Sequence, residues 1–395
     1  MAAISNRQRA GYDGVAVAVP ITIPYRRYST QTAHWWIGRA LRGLLDGASL
    51  RANDIDGLII SSFTLAPDTA IGLTQHLGLS PRWLDHVPMG GASGVMSLRK
   101  AARAVQAGDA DIVACIAGDT NHVDSFRRML SSFSRFAQDA VYPYGSGGPN
   151  ASFAMIMANY MRETGATRAD IGKLAVAQRT NALANPAALM KKPLTLDDYL
   201  DARPIAEPIH LYDCVMPCAG AEAFLVMRDE TARSLGFKSA RILATIERHN
   251  AFAADPIQKR GGWLVDVGEL YAVAGITPDD LDFVQTYDDY PVISMMQFAD
   301  LGLCEAGGVT EFVRESSFTF DGTCPHNTSG GQLSVGQAGC AGGFLGIVEA
   351  LRQLTGAAGK HQVSTVEIGL VSGFGMITYD RGLASCAAIL GKSAS

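Results

Sequence analysis

Four stretches of this chain hold residues whose types and spacing suit chemistry. Thr286-Tyr-Asp-Asp-Tyr-Pro291 sets Tyr287 and Tyr290 on either side of the carboxylates Asp288 and Asp289. Ser372-Gly-Phe-Gly-Met-Ile-Thr-Tyr379 carries Tyr379 just past a glycine turn. Asn327-Thr-Ser-Gly-Gly-Gln-Leu-Ser-Val-Gly-Gln-Ala-Gly-Cys-Ala-Gly-Gly343 follows His326 and runs into an apolar, helix-forming segment at 344–354, and Met89-Gly-Gly-Ala-Ser-Gly94 is a shorter version of it. Phenols, carboxylates and an imidazole transfer protons. Dense glycine lets backbone N–H groups and a helix N-terminus come close to an anion or a developing oxyanion.

Each of these residues also has a plainer role open to it. A glycine-rich helix start serves equally well to pack tightly under a sheet. Tyrosines pack at amphipathic positions, and His326 suits a structural role as readily as that of a base. A tyrosine ordinarily titrates near ~10, and neighbouring negative charge raises that value. Asp288 and Asp289 therefore suit orienting Tyr287, or a water, rather than making it a base. Ser93 lies between glycines, but Val95 breaks the G-x-S-x-G elbow of serine hydrolases. Cys340, inside the glycine-rich stretch, suits core packing. Cys214 and Cys218 lack a second pair or a nearby histidine, so no metal is expected there.

The elements that must position these residues follow α/β grammar. The segment at 15–23 alternates and reads as a strand; Ser29 can cap a helix running to about residue 45. Continuous apolar runs at 57–62 and 112–117 read as strands buried on both faces. Between them the turn at Gly90–Gly94 opens a helix at about 95–107. Strand, glycine turn, helix and strand then recur: an acidic turn before 284 mirrors the one before Leu58, 327–343 mirrors the first glycine turn, and 366–372 mirrors 112–117. A duplicated α/β unit predicts two sheets with sites at their junction, divided near residue 238. The N-terminal half, 1–238, includes a covering segment at about 120–220, and 239–395 forms the second half.

With 395 residues, 48% hydrophobic and 18% charged, the chain is long enough for more than one core. The net charge of −5 and the lack of a basic stripe argue against nucleic-acid binding. No apolar run reaches the ~18 residues a membrane span needs, and no secretory signal is evident, so a cytoplasmic protein is expected. Seven scattered cysteines do not resemble a disulfide framework.

These motifs together resemble the thiolase superfamily over nearly the whole chain. Gly91-Ala-Ser-Gly94 with its helix and Ala107-Gly-Asp-Ala-Asp-Ile-Val113 resembles the thiolase nucleophile turn and the strand after it. Arg203-Pro-Ile-Ala-Glu-Pro-Ile-His-Leu-Tyr-Asp-Cys214 and Ala219-Gly-Ala-Glu-Ala223 resemble a segment of sterol-carrier-type thiolases. Asn327–Gly331 and Gly336–Gly339 sit where thiolases carry a glycine-histidine-proline loop. The implied fold is a pair of βαβαβαββ halves in α-β-α-β-α layers. The departures are as informative as the match. Gly91 replaces the nucleophilic cysteine, Gln337 the histidine, and about Val371 the second cysteine, so acyl transfer through a thioester at 91 is unavailable.

In this respect the chain is most similar to thiolase-like aldolases of bacterial steroid side-chain degradation. That resemblance implies retro-aldol cleavage of a β-hydroxyacyl-CoA bearing a tertiary alcohol, giving a ketone and a short acyl-CoA such as propionyl-CoA. It implies no bound cofactor, a coenzyme A thioester as substrate, a homodimer, and a small partner with an OB fold and a zinc ribbon. A retro-aldol step needs a base for the hydroxyl, a hole for the enolate and a proton donor, but no covalent nucleophile. By position, Tyr287 and Tyr379 are the expected acid/base pair, with Tyr290 and His326 as weaker candidates. Gly91 and Gly375, with Gln337, would form the enolate hole, and Asp288, Asp289 and Asn327 would contact substrate. Two other readings stay open: a carbon–carbon acyltransferase with Cys340 recruited, and a non-catalytic acyl-CoA-binding subunit.

Overall fold

Strands that are apolar at every position have to be covered on both faces, and the two central helices of this protein cover them from inside. The structure, a computed structural model, describes residues 11–122, 135–145 and 148–393. Among these, the strands are β1 (Val15–Arg26), β2 (Gly57–Ser61), β3 (Trp83–His86), β4 (Ile112–Thr120), β5 (Pro204–Ala206), β6 (Ile209–His210), β7 (Ala219–Arg228), β8 (Ser239–His249), β9 (Phe283–Gln285), β10 (Ile368–Ile377) and β11 (Gly382–Lys392). Nine of them are hydrogen-bonded in the order β3-β2-β4-β7-β1-β8-β11-β10-β9, while β5 and β6 form a separate hairpin. β2 runs parallel to β3 and β4, and β9 parallel to β10; the remaining pairs are antiparallel.

The order contains a seam. β1 and β8 pair only from Ala16↔Arg241 to Ala18↔Ser239, so the two halves of the sheet are joined at one end. The helices Ser93–Ala107 and Cys340–Thr355 pack on each other and touch strands from both halves. Helix Ala33–Ala48 covers β1, β4 and β7 on the outside, and helix Trp263–Ala274 covers β8 and β11. The result is the α-β-α-β-α layering of the thiolase fold. Phe344 tilts against Phe224 at 5.3 Å, and Leu98, Val105, Ile347 and Leu351 of these helices are fully buried. Each such side chain stabilises the fold by ~1.5–3 kcal/mol.

The central helices meet at glycine. A Cβ at Gly94 would land on the Gly343 carbonyl, and one at Gly343 on the Gly90 and Gly91 carbonyls. Close backbone packing therefore accounts for this part of the glycine pattern, and Gly94→Ala would force the helices apart.

Local boundaries differ from the sequence expectation in instructive ways. The first helix begins at Ala33 with Thr32 as its N-cap residue, while the Ser29 hydroxyl accepts the Gln31 N–H instead, at 3.0 Å. The second glycine-rich helix starts at Cys340 rather than at 344. Helices Pro291–Asp300 and Val309–Glu315 were not anticipated. The signal for the first was present: proline at an initial helical position gives up an N–H that has no partner there anyway. Part of the expected covering segment, at 123–134 and 146–147, lies outside the described residues.

Candidate active site

The site is built at the end of β9. After Gln285 the chain crosses over 286–290 and enters helix Pro291–Asp300. The backbone of Tyr287 is held from two sides: its N–H donates to Ser372 Oγ of β10 at 3.3 Å, and its carbonyl accepts from Gln297 Nε2 at 2.8 Å. Ser372 Oγ itself donates to Gln297 Oε1. This clamp aims the tyrosine ring at the first glycine turn. A Cβ at Gly91 would fall inside the Tyr287 ring and on the Phe374 carbonyl. The phenol thus occupies the space a nucleophile at residue 91 would need, and glycine at 91 is a requirement of that packing.

Two side chains, Asp289 and Gln337, act on the Tyr287 hydroxyl. Burial raises its proton affinity well above the ordinary value, and the Asp289 carboxylate raises it further, while the Gln337 side chain acts in the opposite sense. Gln337 Oε1 accepts the Gly339 N–H at 3.1 Å, which leaves its NH2 group to serve Tyr287. The Gln337 backbone is paired to the 214–218 loop: its N–H donates to Met216 O at 2.8 Å, and its carbonyl accepts from Cys218 N at 3.0 Å.

The adjacent carboxylates have different environments. Asp288 accepts the N–H groups of Gln332, at 3.0 Å, and Leu333, at 3.3 Å, so it caps the short helix Gly331–Val335. Burial lifts its pKa to about 6. Among the described residues Asp289 has no such backbone donors, and its Oδ1 is buried without a partner. Burial lifts it to about 7, Tyr287 opposes that shift, and Asp288 adds to it.

The other expected residues distribute around this centre. Tyr290 is buried, donates to Asn150 Oδ1 at 2.5 Å and stacks on Phe153 at 4.2 Å. Cys214 sits beside it, with burial lifting the thiol to about 12. His326 lies behind the site: its Nε2 pairs with Thr286 Oγ1 at 2.7 Å, and Phe298 and Phe318 enclose its ring. Burial depresses its pKa to about 3, keeping it neutral. Asn327 adopts a left-handed backbone, φ 43°, and donates its N–H to Val284 O at 3.0 Å. A Cβ at Gly375 would meet the Met89 carbonyl and stand 3.4 Å from Gly91 N, so the two glycines abut backbone to backbone. Tyr379 stands apart. It lies beyond the end of β10, 37% exposed, with its carbonyl tied to Ser152 Oγ at 2.6 Å.

Asp119 was missed by sequence reasoning, and it decides what the second glycine-rich helix start does. Its Oδ2 accepts the Cys340 N–H at 2.8 Å. Its Oδ1 accepts from Ser62 Oγ, Phe63 N, Thr64 N and Thr64 Oγ1 at 2.7–2.9 Å. The positive end of the Cys340–Thr355 helix therefore faces an internal carboxylate, not an external anion. Cys340 is fully buried, and burial followed by Asp119 pushes its thiol up, which removes the thiolate an acyl transfer would need. Ser93 Oγ donates to Val87 O and accepts from Met89 N, both at 2.9 Å, and so is locked in the turn. Two clefts, of about 710 and 610 Å³, lie around Arg233 and Ser393 and are lined by none of these residues.

Layered halves around two glycine-started central helices define the thiolase-like class, and residues 265–392 match the family described as thiolase C-terminal domain-like. A steroid side-chain-cleaving aldolase of Thermomonospora curvata is 30% identical over 358 residues, covering 86% of this chain and 90% of that one. A 17-hydroxy-3-oxo-4-pregnene-20-carboxyl-CoA lyase of Mycobacterium tuberculosis is 31% identical over 360 residues, covering 86% and 91%. The solved Ltp2-ChsH2(DUF35) aldolase superimposes with a TM-score of 0.83 at 27% identity, over 97% of this chain and 98% of its own. The chain belongs to this family of thiolase-like, side-chain-cleaving aldolases.

Proposed function

We propose that the protein is a carbon–carbon lyase that cleaves a β-hydroxyacyl-CoA with a tertiary alcohol, of steroid or bile-acid origin, into a ketone and a short acyl-CoA such as propionyl-CoA. The observation that carries this reading is the Tyr287 ring standing in the space of a residue-91 nucleophile. A phenol there handles protons but forms no acyl-enzyme, and a retro-aldol step asks for nothing covalent. The kinship with two lyases of this type supports the same conclusion. The abutting backbones at Gly91 and Gly375 are the proposed cradle of the thioester enolate. Tyr290 and Cys214 line the wall on the Asp289 side. Asn327 and Asp288 hold the loop under the site, and His326 supports it through Thr286. Tyr379, exposed beyond the end of β10, is given no part in the proton transfer.

The test is incubation with a steroid-derived tertiary β-hydroxyacyl-CoA and detection of free ketone with propionyl-CoA. Tyr287→Phe should lower turnover ~100-fold or more with substrate binding retained, whereas Tyr379→Phe should change it less than ~10-fold. Cleavage by wild type that survives unchanged in Tyr287→Phe would remove the tyrosine from the mechanism. Acyl exchange abolished by Cys340→Ala would instead establish the acyltransferase reading.

The assembly belongs to the same proposal. The Ltp2-ChsH2(DUF35) aldolase carries a second component in its name, which supports a partner here; we propose a small protein with an OB fold and a zinc ribbon, and the assay should be run with and without a candidate. Among the described residues β3 ends the sheet with an unpaired outer edge, which suits a homodimer by strand pairing; light scattering would report it. Among the described residues no helix is long and apolar enough to cross a membrane, and no group of metal ligands is gathered. The reading requires no cofactor beyond the coenzyme A of the substrate and places the enzyme in the cytoplasm.

A further inference from the structure

The contrast between Asp288 and Asp289 has a chemical meaning that rests on the retro-aldol reading. Asp288 spends both oxygens on the backbone of Gln332 and Leu333. Asp289 acts on Tyr287, keeps a buried oxygen without a partner, and among the described residues no cation is paired with it. The groups acting on it or near it are Tyr287, Asp288, Tyr290 and Cys214, all acidic or neutral. A buried carboxylate left short of donors is costly unless it has a task. Gln337 sets the direction in which that task runs. Its Oε1 is engaged by the Gly339 N–H, so it presents N–H to the phenol oxygen. Asp289 raises and Gln337 lowers the proton affinity of the phenol, the senses expected of a hydroxyl that accepts from Gln337 and donates to Asp289.

We infer that Asp289 is the proton store of the reaction, a positioning residue that acts through Tyr287, with Gln337 fixing the polarity of the relay. The substrate hydroxyl gives its proton to the Tyr287 oxygen while the Tyr287 proton passes to Asp289. The O–H electron pair becomes the ketone C=O, the Cα–Cβ bond breaks, and its electrons form the thioester enolate. The stored proton then returns through Tyr287 to the enolate carbon. Acyl-CoA and ketone leave, Asp289 is again a carboxylate, and no proton is gained or lost. This explains how a tyrosine whose neighbours raise its proton affinity still initiates the reaction: it never has to exist as a free phenolate.

The experiment has two arms on the full chain. In the first, cleavage is followed against pH for wild type, Asp289→Asn and Asp288→Asn. The relay requires ionised Asp289, so wild-type kcat should rise with pH through the region near 7. Asp289→Asn should lose ~100-fold or more in kcat with KM nearly unchanged, and its residual rate should lose the acidic limb. Asp288→Asn should lower the melting temperature but keep the limb. An Asp289→Asn enzyme with wild-type kcat and pH profile overturns the inference while leaving the lyase standing.

The second arm needs no turnover. Difference infrared spectra, wild type minus Asp289→Asn, isolate the carboxyl band of residue 289 during a pH titration. Removing the phenol donor in Tyr287→Phe should move that titration upward, because the donor stabilises the carboxylate. An unchanged titration in Tyr287→Phe overturns the relay whether or not any steroid thioester is cleaved. Absence of cleavage by wild type with its partner would count against the lyase reading alone.

Discussion

Gly91 and Tyr287 are a matched pair, and the match can be tested at the level of single atoms. A methyl group at residue 91 overlaps the Tyr287 ring and the Phe374 carbonyl, and the carbonyl cannot yield. Gly91→Ala should therefore cost ~1–3 kcal/mol through overpacking and depress turnover ~100-fold or more by displacing the phenol. Denaturant melts and the cleavage assay would measure the two effects. Shrinking the ring relieves only part of the clash. Gly91→Ala combined with Tyr287→Ala should thus recover some stability relative to the sum of the single changes, and no activity. Gly91→Cys should fail to restore thiolysis, because the ring leaves a thiol no room.

At the scale of elements, Asp119 ties three pieces of chain at the end of β4. It joins the 62–64 loop after β2 to the N-terminus of helix Cys340–Thr355 through five hydrogen bonds. A Cβ at Gly339 would strike this carboxylate, so the αL glycine before the helix, φ 59°, serves both the turn and the cap. Asp119→Ala removes the acceptor of the buried Cys340 N–H and of the half-buried N–H groups of Phe63 and Thr64. At ~1–3 kcal/mol for each unsatisfied group, the loss should reach ~3 kcal/mol or more in a urea melt. Amide hydrogen exchange should accelerate first at these three residues. The same element logic explains why the glycine-rich 327–343 stretch is not an anion site: its helix end already faces a carboxylate.

For the whole molecule, buried acids set the pH response. Burial is the leading cause that lifts Glu222 to about 8, Asp289 and Asp300 to about 7, and Asp288 to about 6. Unfolded, such groups release their protons near pH ~4. Between these values the native chain holds protons that the unfolded chain has lost, so stability falls as pH rises from ~4 to ~8. The melting temperature should be highest at mildly acidic pH and decline toward pH 8. Glu222 sits in the core with Thr22 Oγ1 donating to it at 2.7 Å. Glu222→Gln should flatten the slope by about one proton, ~1.4 kcal/mol per pH unit. Catalysis runs the other way, since the proposed relay needs Asp289 ionised, and activity and stability should therefore have separated pH optima.

Much of this was legible in the chain alone. Apolar runs at β2 and β4, glycine turns opening helices, and their recurrence in the second half are local signals of period and turn chemistry, and they determined the layered α/β architecture, though the helix starts at Ser93 and Cys340 came from the structure. Residue identity at 91 and 337 excluded the cysteine-and-histidine chemistry of thiolases, because a side chain that is absent cannot react. The proximity of Tyr287 to Gly91, nearly two hundred positions away, was beyond local pattern: it depends on β9, β10 and the central helices meeting at backbone distance. The two carboxylates Asp288 and Asp289 are alike in sequence, and only their surroundings separate a helix cap from a group facing the phenol. Asp119 gave no local sign of its five hydrogen bonds, and Tyr379, adjacent to a glycine motif in sequence, stands at an exposed strand end. Side-chain type and spacing determine which chemistry is available; desolvation and hydrogen-bond partners, which exist only once distant segments pack, decide which residues carry it.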